Sequence, residues 1–151
     1  MYCAAEDLHL YSQAVETFPS NVQAYVKRVG SAKEGGKGSS SVNVARVDYL
    51  FPGGGVRPDV KSIGSSAATA IAAGLVALIL WCFEATGQGM NAIKDPKKID
   101  TIFQDLTAGK DEKWVDATRL LQHCTKSDDV VRRCTTKFPD LLPNKPAGSL
   151  F

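Results

Sequence analysis

A charge-free apolar run from Ala67 to Phe83, AATAIAAGLVALILWCF, constrains this chain more than any other stretch of its 151 residues. Such a run must be hidden from water, and either a protein core or the interior of a bilayer can hide it. Its seventeen residues stand at the short end of the roughly 17 to 25 that span a membrane, and alanines, Thr69 and Gly74 dilute it. No cluster of Lys or Arg flanks it to set an orientation. The expectation is a buried helix, apolar on every side and running through the centre of a domain, with a membrane span as the minority alternative. Gly74 then needs its small size for close packing, and leucine there should overpack the core.

One core is also all that the length allows. Hydrophobic residues make up 44% of the chain and charged residues 23%, a globular composition with room for one ordinary domain. Eighteen Lys and Arg against sixteen Asp and Glu leave a net charge of +2, far from the basic footprint by which nucleic acid is held, so no nucleic-acid partner is expected. Cys3, Cys82, Cys124 and Cys134 form no CxxC pair, and only His9 and His123 accompany them; no metal site and no cofactor is expected. The start, MYCAAEDLHL, places Glu6 and Asp7 where a signal peptide would carry a basic residue and then an apolar run. Secretion gains no support from it, which tips the expectation toward an intracellular protein and leaves the compartment open.

Along the chain, MYCAA reads as a short buried strand, and FPSN as a turn before VQAYVKRVGSA, where Val22, Ala24 and Val26 alternate as in a strand. Lys33 to Ser41, KEGGKGSSS, reads as an exposed, mobile loop. VNVARVDYLFPGGG offers one or two strands closed by a tight turn, and Ser65 or Ser66 is suited to cap the apolar helix. Asp95 and Pro96 start an amphipathic helix carrying Ile99, Ile102, Phe103 and Leu106. Trp114, Ala117, Thr118 and Leu121 make a second stripe, and Ser127 with Asp128 and Asp129 caps a third helix carrying Val130, Val131, Cys134 and Phe138. The tail from Pro139 holds three prolines and should fray.

The chemistry concentrates in IGSSAATAIAAGLVALIL, residues 63 to 80. A glycine and two hydroxyl residues at the mouth of a buried helix put Ser66 where the helix dipole and unpaired N–H groups favour negative charge, as on a serine alkoxide or a tetrahedral oxyanion. The plain alternative, that both serines only cap the helix, stands beside it. This segment resembles the nucleophile segment of subtilisin-like serine peptidases: Gly64, Ser65 and Ser66 match its Gly, Thr or Ser, and nucleophilic Ser; Ala73 and Gly74 match its AG; Leu78, Ile79 and Leu80 match its LIL. Ala70 stands where the family usually has Pro, as in divergent members resembling those of fungal genomes. Three further blocks resemble the family in order: CAAEDLH its oxyanion strand, FPSNVQAYVKRVGSA its YP…V…VGA strand, and DYLFPGG its D…APG turn.

The resemblance implies an α/β fold: an incomplete subtilisin-like parallel sheet, a central buried helix carrying the serine, and C-terminal helices. It assigns 1–85 to the C-terminal portion of the peptidase domain, 86–138 to a helical extension and 139–151 to a frayed tail. It further implies a serine endopeptidase acting on peptide or protein substrates through an acyl-enzyme on Ser66, with Gly64 and Ser65 at the substrate side. Asp7 falls at the place of the oxyanion-hole Asn and Glu6 where the pocket usually has Gly. An ionised carboxylate would repel the oxyanion, and a solvated strand-end Asp7 is the equal alternative. The family's Asp and His precede the oxyanion strand in chain order. His9 and His123 match neither segment, which leaves a solvated loop residue and a helix-face residue as their plain roles. A missing N-terminal part of the domain is therefore an implied partner, and without it the chain is expected to be inactive. The alternative function is a non-catalytic remnant that binds peptides or proteins, and a small membrane-anchored protein is the third.

Overall fold

The computed structural model describes residues 2–5, 26–33, 35–53, 64–87, 95–107 and 112–139. They form a mixed α/β structure of a three-stranded parallel sheet and four helices: β1 (Tyr2–Ala4), β2 (Lys27–Ala32), β3 (Tyr49–Pro52), α1 (Ser65–Ala85), α2 (Pro96–Leu106), α3 (Thr118–Leu121) and α4 (Ser127–Lys137). The strands lie in the order β1-β2-β3, with Tyr2 opposite Lys27 and Val29 opposite Tyr49. The strand expected around Val22 to Val26 begins at Lys27, and Val22 and Ala24 lie outside the described residues.

Alternation along the strands gives the sheet two apolar faces, as a parallel sheet requires. On one face Val29, Tyr49 and Phe51, with Tyr2 at the edge, meet the inner side of α1 and the α2 side chains. Phe103 of α2 is the hub, its ring 5.4, 5.2 and 5.3 Å from those of Tyr2, Tyr49 and Phe51. Asp100, one turn earlier, accepts a hydrogen bond from Tyr49 Oη at 2.6 Å and an ion pair from Lys27 at 2.6 Å, so α2 is tied to two strands at once. Burial and the Asp100 hydrogen bond both hold the Tyr49 phenol neutral well above its ordinary range. On the other face Ala32, Val42, Val47 and Leu50 form a second cluster against Trp114.

α2 forms as its sequence predicts, with Asp95 capping Lys97 N at 2.9 Å, Pro96 in the first turn, and Ile99, Ile102, Phe103 and Leu106 buried. α4 starts one residue earlier than expected: Lys126 is the N-cap, and Asp129 closes the turn by accepting from Lys126 N at 3.2 Å. The second stripe is a correction. Helix is confined to Thr118–Leu121, because Lys113 to Val115 run extended along the outer edge of β3. There Leu50 N donates to Lys113 O at 2.7 Å and Val115 N to Leu50 O at 3.0 Å, giving an edge strand's backbone the partners it needs.

The KEGGKGSSS segment is also corrected. Lys33 N donates to Lys37 O at 2.8 Å, Ala32 bridges Gly38, and Ser39 and Ser41 are buried. α1 departs furthest from expectation: it is not covered on every side. Ala68, Ala72, Leu75, Ile79, Cys82 and Phe83 are buried in a single stripe, whereas Ala70, Ala73, Gly74 and Ala77 are exposed and Trp81 keeps 46% of its surface. By length and composition α1 is the one helix among the described residues able to cross a membrane. Nothing lies within 4 Å of a Cβ built on Gly74, so close packing is not the reason for that glycine. Gly74→Ala should therefore raise the unfolding free energy by roughly 0.5–1 kcal/mol, since only the backbone entropy of glycine is removed. Urea titration of the two proteins checks this, with Gly74→Leu no less stable than wild type.

Candidate active site

Parallel α/β sheets offer their ligand crevice beyond the carboxyl ends of the strands. Here that edge is made by Ser31 and Ala32 of β2, Gly53 after β3, and the first turn of α1. Gly64 is the helix N-cap, extended and without a side-chain cap, so neither serine has the capping role expected of it. Ser65 enters the first turn buried, at 1% exposure, and its Oγ accepts from Ser31 N at 3.3 Å. Ser66, the next residue, is exposed. The two adjacent hydroxyls thus divide: one is locked into the sheet, the other is presented to solvent at the positive end of a 21-residue helix.

Three features hold that presentation. Gly53 N donates to Ala32 O at 3.2 Å, and Gly64 N donates to Gly53 O at 3.0 Å, so β3 passes its end directly to the helix start. A Cβ on Gly53 would collide with Ser31 Cβ and stand 3.1 Å from Gly64 O, which leaves glycine as the residue that fits. Behind Ser31 runs a buried chain of hydroxyls, Ser31 Oγ to Ser39 Oγ at 2.5 Å and Ser39 Oγ to Ser41 Oγ at 3.3 Å. Among the described residues no buried side-chain nitrogen or oxygen lacks a partner. Asp48, just before β3, accepts from Arg28 N at 2.7 Å and pairs with the Arg28 guanidinium at 3.7 Å, which fixes the register of β2 against β3.

The remaining sequence candidates are not gathered here. Asp7, Glu6 and His9 lie outside the described residues. His123 sits in the left-handed region at φ 65°, between α3 and α4. α4 packs on α1, with Cys134 and Cys82 both buried in the shared core, and Cys82 is sixteen residues beyond Ser66, about 24 Å along the helix at 1.5 Å per residue. Among the described residues no hydrogen bond joins a base to Ser66, and no group of three metal-ligating side chains converges. Sequence reasoning singled out Ser66 as a candidate and gave no sign of Ser31, Ser39 or Gly53, whose roles depend on contacts between segments distant in the chain.

No protein-family model, curated protein or solved structure matches this chain.

The site separates two serine substitutions. Ser65→Ala leaves the buried Ser31 N–H without its acceptor and should cost about 1–3 kcal/mol, whereas Ser66→Ala on an exposed first-turn position should stay within about 0.5 kcal/mol of wild type. Gly53→Ala should cost about 1–3 kcal/mol through overpacking. Thermal and urea unfolding of the three variants measures the order.

Proposed function

We propose that this chain is the serine-bearing part of a subtilisin-like serine endopeptidase domain, with Ser66 as nucleophile. Its oxygen attacks a peptide carbonyl, its proton passes to a base, the amine leaves, and water later hydrolyses the acyl-enzyme. The observation that supports this is the division between Ser65 and Ser66. A serine is exposed at the N-terminus of a long helix, at the carboxyl edge of a parallel sheet, while its neighbour is consumed in anchoring that edge. First-turn N–H groups without intrahelical partners and the helix dipole both favour the charge that develops when the serine reacts.

A second reading, a non-catalytic module that binds peptide or protein at the same crevice, is favoured by the lack, among the described residues, of a base hydrogen-bonded to Ser66. Without a base the serine keeps its ordinary acidity and is a poor nucleophile. The chain by itself should accordingly hydrolyse no casein. Joined to the Asp- and His-bearing half of a subtilisin-like domain, it should react with a fluorophosphonate, the label vanishing with Ser66→Ala and persisting with Ser65→Ala. A folded, joined protein that takes no label, or that keeps its label in Ser66→Ala, overturns the nucleophile assignment. Fluorescence anisotropy of a labelled peptide then reports whether the crevice binds without reacting.

A further inference from the structure

A groove of about 480 Å³ opens between α4 and the turn that follows α3. α4 lines it with Asp129, Arg132, Arg133, Thr136 and Lys137, positions spaced so that they share one helix face. Gln122 and His123 form the facing turn, held by Gln122 N donating to Thr118 O at 2.7 Å and Cys124 N donating to Leu121 O at 3.1 Å. His123 keeps φ 65° there, a left-handed conformation uncommon outside glycine. Two arginines and a lysine against one carboxylate leave the groove cationic, and that carboxylate is already engaged. Asp129 accepts from Thr125 N, Thr125 Oγ1 and Lys126 N at 3.1 to 3.3 Å through one oxygen, and from Arg132 Nη2 at 3.3 Å through the other. Arg132 keeps 81% of its side chain exposed, and a pair so exposed is screened and weak. Arg133 donates to Arg119 O at 3.5 Å, and Lys137 lies over the Phe138 ring at 5.8 Å; among the described residues neither pairs with a carboxylate. Cys124 borders the groove, but its thiol donates to Leu120 O and Gln122 O at 3.8 and 3.9 Å and so is committed to its own turn.

We propose that this groove binds a phosphorylated polyol such as a sugar phosphate, with Arg132, Arg133 and Lys137 on the phosphate and Gln122, His123 and Thr136 on the hydroxyls. A guanidinium fork matches the geometry of phosphate oxygens, and a lysine beside it adds a point charge. A bare phosphate fills only part of such a volume. The rest is lined by an amide, an imidazole and a hydroxyl, which donate and accept as a polyol requires. No Phe, Tyr or Trp lines the groove, so a nucleobase lacks such a face to stack on. The same chemistry is presented by a soluble sugar phosphate and by a phosphorylated inositol lipid. None of the residues at the helix mouth lines the groove, so binding here stands apart from the peptidase reading.

The full chain is titrated at one ionic strength with glucose 6-phosphate, inorganic phosphate, glucose and AMP, following the amide NMR signals of the α3–α4 turn and of α4. Glucose 6-phosphate should bind saturably and more tightly than the other three. Arg133→Gln and Lys137→Gln, both exposed positions, should each raise Kd about tenfold, as loss of a charged hydrogen-bond partner does. Arg46→Gln, the same charge change outside the groove, should leave Kd within about twofold of wild type. Asp129→Asn should tighten binding by removing the negative charge from the wall. Co-sedimentation with vesicles of phosphatidylcholine and phosphatidylinositol 4-phosphate, beyond that with phosphatidylcholine alone, assigns the phosphate to a lipid headgroup, and glucose 6-phosphate binding without it assigns a soluble ligand. No saturable binding of glucose 6-phosphate, or equal weakening by Arg46→Gln and Arg133→Gln, overturns the site. Phosphate or AMP binding as tightly as glucose 6-phosphate overturns the polyol assignment.

Discussion

The contact on which the rest of this structure depends is the junction where two strand ends meet a helix start. Ser31 N–H reaches Ser65 Oγ, and Gly53 carries a hydrogen bond to each side, to Ala32 and from Gly64. Three segments that are far apart in sequence are thereby fixed within one small, largely buried volume. Because Ser65 is committed to that junction, the helical rotation of about 100° per residue turns Ser66 out of it. The exposure of one serine is a consequence of the burial of the other.

The junction also sets how α1 lies across the sheet. Its inner stripe, from Ala68 through Ala72, Leu75 and Ile79 to Phe83, covers all three strands, and its far end receives α4. Small residues near the junction let the helix approach the sheet closely, and larger ones fill the space where Phe51 and Phe103 meet edge to face. The outward stripe is made of alanines, Gly74 and Trp81, so the helix presents an apolar surface on the side away from the sheet.

How far the sequence could be read follows from which forces were local. Asp95, Pro96 and the Ile99, Ile102, Phe103, Leu106 stripe specify α2 within a dozen residues, and it forms as read. Trp114 fits the next stripe equally well by spacing, yet it runs extended, because β3 needs a neighbour for the Leu50 backbone and that demand comes from more than sixty residues away. The uncharged run predicted burial on every side, but hydropathy does not distinguish an alanine facing the core from one facing out. Ser39 and Ser41, polar residues in a glycine-rich stretch, pointed to solvent; their hydroxyls instead bond to one another and to Ser31, which local composition cannot convey. The position of Ser66 at a helix mouth was legible because glycine followed by serines before an apolar helix is a local pattern. The partner that buries Ser65 was not.

Native-state hydrogen exchange resolved by residue tests the junction most directly. If the Ser31–Ser65 and Gly53–Gly64 contacts hold the site, the amides of Ser31 and Gly64 exchange only through global unfolding. Their opening free energies then match those of Leu75 and Ile79 in the middle of α1. Exchange at Ser31 and Gly64 through local fraying, with opening free energies well below those of Leu75 and Ile79, would show that the helix mouth is not anchored to the sheet. Ser66 would then owe its exposure to a loose terminus rather than to a built site.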